Sequence, residues 1–515
     1  MALMGIDIGT SGTRTILIDH QGRLIASAVA EYPVFSPAPL WSEQHPEDWW
    51  KAVVKTVRAA IAQAGIAPDE IRGIGLSGQM HGLCCLDAHG KVLRPAILWN
   101  DGRTHAECAE ITRRAGGLNA LIGMVQNPAL TGFTAPKILW VRKHEPKKYD
   151  QARQFLLPKD YIRYRLTGQY ATEVSDASGT LLLDVAKRQW SKPLLSKLQI
   201  DPACLPAVYE SAEVSAAISK MAAQATGLTP GTPVVGGGGD QAAGAVGNGI
   251  VSRGVISVSM GTSGVAFAHS DRVQVDPGGR IHTFCHAVPG KWHVMGVVLS
   301  AGGALQWVKN ALCESERAQA AKSGRDVYEA LDAAAGKIPA GSDGLYVLPY
   351  FTGERTPHAD PYARACFIGL TPRHAKAHLI RATMEGAAYA IRDSIRIFRE
   401  MKVPLAEVRL SGGGARGKTF RSVQADIYAG EIGPRARIVR TNAAEGPAYG
   451  VALLAGVGAG VWKSVEQATS ATIHVTDTTP VNRANAAAYS PRYELYGRLY
   501  RQLKAEFQAI HALEG

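Results

Sequence analysis

Apolar residues fall in short runs along the chain, and each run is closed by a glycine-rich or polar turn. Residues 4–8 predict a buried strand carrying Asp7, and residues 15–18 a strand that pairs back on it. The turn DHQG (19–22) leads into a third strand reaching residue 30. Pro46 opens a helix to about residue 64, with Glu47 and Asp48 suited to its first turn. Residues 71–76 predict a strand ending in SGQMHG (77–82), and LDAHG (86–90) repeats the chemistry of DHQG. Residues 93–99 run as a strand into WNDGR (99–103). GFTAPKILWVRKHEP (132–146) reads as a proline-initiated helix packing Ile138, Leu139 and Val141 inward, as structural support. LLPKDYIRYRLTG (156–168) and SDASGT (175–180) give a helix and a serine-rich loop that wall a cleft. Further on, residues 345–361 form a strand into GERTP, where Glu354 and Arg355 are expected to make a buried ion pair. Residues 365–386 open a long helix whose Leu379, Met384, Ala387, Ile391, Ile395 and Phe398 recur at helical spacing, a core stripe. VRLSGGGARGKTF (408–420) is strand, glycine loop and helix. Residues 445–460 predict a small-residue helix packed on the sheet, and residues 491–512 a basic amphipathic helix at the surface.

The stretch 232–267 organises this pattern. Val234 and Val235 end a strand, Gly236 to Gly239 let the backbone turn without side-chain hindrance, and Asp240 follows before a helix of Ala and Gly. Asp240 reads either as the N-cap of that helix or as a general base where a ligand meets the sheet. Residues 255–259 then alternate, GTSG (261–264) makes a tight tip, and residues 265–268 return. The same GTSG stands at 9–12, flanked by the same kind of strands. A Gly/Ser/Thr tip offers amides and hydroxyls to an anion such as phosphate. Two copies, each opening one half of the chain, predict duplicated domains with facing phosphate loops. Thr10, Ser11, Thr13 and Arg14 are the candidates in the first loop, Gly261 and Thr262 in the second. Asp7, in a buried strand beside the first loop, reads as a Mg²⁺-associated acid, through water, or as an ion pair with Arg14.

Composition narrows the classes. At 515 residues the chain exceeds a single core. Hydrophobic content of 46% and charged content of 19% fit a globular protein. Net charge is +12, but the basic residues are scattered, so a solvated surface is expected and nucleic-acid binding is not. Seven cysteines in such a length make no disulfide framework; Cys84 and Cys85 read as buried small hydrophobes, and no Cys/His spacing suits zinc. No run of about 20 apolar residues predicts a membrane span. A cytoplasmic protein is expected, with a homodimer left open.

The paired GTSG loops resemble the sugar kinase, Hsp70 and actin superfamily. Across nearly the whole chain, residues 132–146, residues 365–386, QMHG and the acid after the glycines resemble the FGGY carbohydrate kinases, in particular their xylulose-phosphorylating branch. The resemblance implies an α/β fold of two ribonuclease H-like domains of the actin, hexokinase and Hsp70 type flanking a deep cleft, at residues 1–247 and 248–515. It implies ATP and Mg²⁺, with phosphorylation of a ketopentose, D-xylulose at its 5-hydroxyl, and Asp240 as base beside Asp7. Met80, His81, Asn100, Asp101 and Gln241 are implied for the sugar. Gly302 and Gln306 are implied near the terminal phosphates, and Gly413, Gly414, Ala415 and Lys418 for the adenosine. Residue 241 is Gln where some members carry Asn, which leaves the sugar less defined. The alternatives are another ketose or polyol (ribulose, a xylitol-like polyol, glycerol), or a nucleotide-gated clamp that phosphorylates no sugar.

Overall fold

A computed structural model describes residues 1–433, 435–443 and 446–513. In the first half, β1 (Ala2–Ile8), β2 (Gly12–Asp19) and β3 (Leu24–Glu31) form an antiparallel meander. The helix α1 (Pro46–Ala64) packs on it, and β4 (Ile71–Gly78) then runs parallel to β1. The sheet continues through β5 (Val214–Ala217) and β6 (Pro233–Val235), giving the order β5-β6-β4-β1-β2-β3. The short β7 (Gly238–Gly239) lies parallel to the end of β4, and α2 (Asp240–Gly247) follows. Every residue of β1 but one is buried, as expected of a strand covered on both faces.

The second half repeats the plan. Its strands are β8 (Gly254–Met260), β9 (Gly264–Ser270), β10 (His282–Cys285) and β11 (Trp292–Val298). They are followed by α3 (Gly302–Leu312), α4 (Lys376–Glu400), β12 (Leu405–Gly412), α5 (Lys418–Ile432), β13 (Arg437–Thr441), α6 (Gly446–Gly458), β14 (Val475–Thr479) and α7 (Arg483–Leu513). The sheet order is β10-β11-β9-β8-β12-β13-β14, with β8 parallel to β12 and antiparallel to β9. The two GTSG tips join the corresponding pairs β1–β2 and β8–β9, so the internal repeat is structural. Two residues before each tip stand Asp7 in one copy and Ser259 in the other.

One expectation is made specific in three dimensions and two change. The small-residue helix forms as α6, from Gly446 onward, Glu445 lying outside the described residues. It packs on β1 and β4 of the first sheet and against α2, although it belongs to the second half by sequence. Glycines make this approach: a Cβ on Gly75 would sit 2.0 Å from the Val451 carbonyl oxygen, and one on Gly450 1.8 Å from that of Ala243. The last helix, α7, is not a surface element. Tyr489, Tyr493, Tyr496, Tyr500 and Phe507 are buried in the second core. Their phenols donate inward, Tyr489 to Glu385 at 2.7 Å and Tyr500 to Asp360 at 2.8 Å. The basic residues between them carried the amphipathic pattern, but the aromatic stripe set the packing. Finally, Glu354 and Arg355 do not form an ion pair: Glu354 Oε1 accepts the amides of Leu299 (3.0 Å) and Arg355 (2.7 Å). The stripe of α4 is core as expected.

Candidate active site

Register across the first sheet builds the site. Asp7 on β1 is level with Ser77 on β4, and Ser77 is level with Gly238 on β7. Asp240 stands two residues beyond Gly238, so both acids converge at the carboxyl ends of parallel strands, where open α/β sheets present ligands. The glycines are needed for this. Gly237 has φ +73°, and a Cβ there would lie 2.0 Å from the Leu76 carbonyl oxygen. Asp240 is the first helical residue, not the cap: Gly239 is the N-cap, and no side chain caps α2.

The two carboxyls bear on each other. Burial pushes Asp240 up to about 7, the charge of Asp7 pushes the same way, and the neighbouring Gln241 opposes both. Burial pushes Asp7 up to about 6, against the Ser77 hydroxyl and the Arg14 guanidinium. Asp7 Oδ1 is buried and accepts no hydrogen bond.

Met80 packs on this floor; a Cβ on Gly239 would come 2.9 to 3.0 Å from three of its side-chain atoms. His81 follows with φ +67° and is buried. Its Nδ1 lies 2.9 Å from the Gly179 carbonyl oxygen, which can only accept. Burial, then Lys137, His282 and Arg355, hold the ring well below the ordinary imidazole range. His81 is therefore neutral, protonated on Nδ1, with Nε2 left as an acceptor. The supporting helix has a more specific task than the sequence disclosed. Thr134 Oγ1 and Lys137 Nζ donate to the His81 carbonyl at 3.0 and 2.8 Å, and Lys137 also donates to Gly132 at 2.7 Å.

Asn100 is exposed, whereas Asp101 is buried and engaged. Asp101 accepts the Ser42 amide at 2.6 Å and the Arg103 guanidinium at 2.7 to 3.0 Å, so its carboxylate is taken up by an ion pair within its own loop. Arg103 is itself stacked on Trp41, 3.6 Å from the ring centroid.

The first tip is pinned from outside. The Gly9 carbonyl accepts Tyr32 Oη at 2.6 Å, the Thr10 carbonyl accepts Gln44 Nε2 at 2.7 Å, and Thr10 Oγ1 accepts Trp99 Nε1 at 3.0 Å. Ser11 is exposed and Arg14 half-buried, but Thr13 is fully buried under Tyr32 and does not line an open surface. At the second tip, the Gly261 and Thr262 carbonyls accept the amides of Gly302 and Gly303 at 3.0 and 2.9 Å. Gly302 permits this contact, since a Cβ there would lie 2.2 Å from the Gly261 oxygen. Gln306 is exposed one turn along α3. Gly413, Gly414 and Ala415 form a 3₁₀ turn after β12, whose last residue is level with Met260 at the end of β8. Lys418 is exposed, and the start of α5 is capped by Asp332, which accepts the Thr419 and Phe420 amides at 2.9 and 3.0 Å.

A buried charge network, unread in the sequence, holds the glycine run. Arg163 donates to the Val235 carbonyl at 2.7 Å and to that of Gly236 at 2.5 Å, and Ser175 Oγ accepts the Gly239 amide at 3.1 Å. Behind them Lys159 meets Asp160 at 2.7 Å and Asp176 at 3.2 Å, all fully buried. The available signal was a cluster of charges in KDYIRYR between apolar positions that turn out to be core. A cavity of about 650 Å³ lined by His45, Arg94, Tyr161 and Arg165 shares no residue with this site.

Two family models match, the FGGY carbohydrate kinase N-terminal domain over residues 2–247 and the C-terminal domain over 256–459. The xylulose kinase of Escherichia coli (strain K12) is 41% identical over 506 residues, covering 97% of this chain and 99% of the relative. That of Bacillus subtilis (strain 168) is 37% identical over 502 residues, covering 98% and 97%. The crystal structure of xylulose kinase from Rhodospirillum rubrum superposes with a TM-score of 0.87 at 29% identity, covering 99% of this chain and 100% of that one. With both domain models matched in order on a duplicated fold, the chain belongs to the FGGY family of carbohydrate kinases.

Proposed function

We propose that the protein transfers the γ-phosphoryl group of ATP to the 5-hydroxyl of D-xylulose, with Asp240 as general base. The observation that carries the chemistry is Asp240 itself, uncapped, at a carboxyl end of the sheet and held near pH 7 by burial and by Asp7. A base poised near the working pH accepts a hydroxyl proton as the bond to phosphorus forms. The relatives' names supply the sugar.

In this reading Met80 and neutral His81 hold the ketose, with Asn100 and Gln241 at its hydroxyls. Asp101 acts at one remove, by fixing the loop through Arg103. Thr10, Ser11 and Arg14 face the phosphates from one half, Gly261 and Thr262 from the other. Gly302 lets the second loop close on its helix and Gln306 faces the terminal phosphates. Gly413, Gly414 and Ala415 receive the adenosine, with Lys418 at its edge. The buried, unpartnered Oδ1 of Asp7 fits an acid that orients water around Mg²⁺. When bound with ATP, Mg²⁺ neutralises charge building on the phosphates. Closure of the two halves excludes water and limits hydrolysis. The reading places the enzyme in the cytoplasm, where ATP is available.

The test is ADP release over a panel of pentuloses and polyols. D-xylulose is expected to give the highest kcat/KM. A higher value for ribulose, xylitol or glycerol would reassign the sugar, and no response to any of them would end the kinase reading.

A further inference from the structure

Arg355 belongs to the second half by sequence, yet its side chain reaches residues of the first half. A Cβ on Gly132 would stand 3.2 Å from its Nη2 and 3.9 Å from its Cζ. Its charge lowers the proton affinity of His81, Lys137 and His282, all basic groups. The acid that acts on it, Glu354, has Oε1 occupied by two amides and is pushed up to about 8 by burial. Among the described residues the half-buried guanidinium makes neither a hydrogen bond nor an ion pair. Five donors removed from much of their water and given no acceptor are costly, and a ligand acceptor removes that cost.

The neighbours indicate which acceptor. These residues form a chain: Asp240 follows Gly239, against which Met80 lies, His81 follows Met80, and Lys137 ties the His81 carbonyl to that of Gly132. A sugar with its reacting hydroxyl at Asp240 and its middle at Met80 and His81 brings its far end to Arg355. A 2-ketopentose closes its furanose ring through the 5-hydroxyl. The molecule phosphorylated at that hydroxyl is therefore the open chain, with a free carbonyl oxygen at C2. His81 Nε2 can only accept, so it suits a hydroxyl; a guanidinium can only donate, so it suits a carbonyl. We infer that Arg355 determines specificity by donating to the C2 carbonyl of the open-chain ketose, from the half opposite Asp240. This rests on the kinase reading above, and it makes the sugar a link between the two halves.

Arg355→Met and Arg355→Lys test it with the full-length enzyme. The readouts are KM and kcat for D-xylulose, the inhibition constant of xylitol against it, and calorimetric ADP binding. For Arg355→Met, KM is expected to rise about 10- to 100-fold, in line with the loss of one charge-assisted bond. Xylitol, which has a hydroxyl at that carbon, should lose at least tenfold less. ADP affinity should stay within about twofold, and Lys should recover part of the KM. Equal losses for ketose and pentitol, or an unchanged KM, overturn the inference while leaving an active kinase. If ADP binding falls with KM, the variant is misfolded at the interface, and Arg355→Lys alone then decides: an unchanged KM overturns the inference, and an intermediate one supports it. Wild-type enzyme that phosphorylates no ketose overturns the ketose assignment, and this inference with it.

Discussion

Asp240 carries a conflict between stability and chemistry that can be measured. Its carboxyl is raised from an ordinary 3.8 to about 7. Below pH 3.8 folded and unfolded chains both hold the proton, and burial makes no difference. Between that value and about 7 the folded state keeps a proton the unfolded state has lost, so this residue's contribution falls as pH rises, and is level above. Asp240→Asn removes the buried charge. It should raise stability at pH 7.5 by roughly 1 kcal/mol or more, while lowering kcat by about 10²- to 10⁴-fold. Nucleotide affinity should be retained. Thermal melts and single-turnover transfer check both halves of the prediction; a variant that loses stability, or that keeps its rate, contradicts it. The pair also predicts a pH profile. With Asp240 acting as a base, kcat/KM should climb to a plateau above about pH 7. Asp7→Asn removes a charge that raises Asp240, so whatever activity remains should reach its plateau at lower pH. A midpoint that moves upward would sink the assignment.

At the scale of elements, α6 sets opposed effects of known size against each other. Gly450 lies inside it, where alanine ordinarily favours a helix by about 1 kcal/mol. Its Cβ, however, would stand 1.8 Å from the Ala243 carbonyl oxygen, a backbone atom of α2 that cannot rotate aside. Overpacking of this kind costs roughly 1–3 kcal/mol or more, so Gly450→Ala should lower stability despite its better propensity. Denaturant unfolding decides: a midpoint at or above wild type shows that α6 can step back. The same helix marks how far the sequence could be read. Strands, tips and the long helix opened by residues 365–386 were legible because local patterns specify them: alternation, GTSG, and an apolar stripe. Each acid was singled out by the turn beside it, but their convergence was not legible, because only the register of three strands levels Asp7 with Ser77 and Ser77 with Gly238. Which sheet α6 covers was not, since its small residues suit any close contact. Nor was the burial of α7, whose basic residues masked its tyrosines, nor the engagement of Asp101, because a nearby base on one turn is equally consistent with an open or a closed site. Arg355 was read as a partner of its sequence neighbour, and only the tertiary fold carries it to Gly132.

The whole molecule is less divisible than its duplicated sequence. The sequence repeat suggests two units that meet near residue 247, yet α6 supplies a face of the first sheet from the far side of that boundary. Ala448, Tyr449, Val451 and Leu454 join Leu3, Ile16 and Val246 in one buried cluster. Tyr449 also donates to the Gly22 carbonyl at 2.9 Å. Elsewhere the halves bond through buried groups: Asn127 exchanges two hydrogen bonds with the backbone of Thr283 at 2.8 and 3.0 Å, and Ser178 accepts the Cys285 amide at 3.0 Å. A fragment of residues 1–247 would expose the apolar face beneath α6, including the glycines shaped to receive it. It would also leave both Asn127 bonds unmade. Such a fragment should therefore not reach a cooperative native state. It should bind a hydrophobic dye, show weak near-ultraviolet dichroism and melt without a sharp transition, whereas the full chain unfolds with its halves lost together. Hydrogen exchange on the full chain supplies the complementary measurement: amides of β1 and β4 should open with those of α6, not independently of them. A soluble, monomeric fragment that melts sharply would show that the first half holds its own core. In that case α6 is a latch between two finished domains, and not a component of the first.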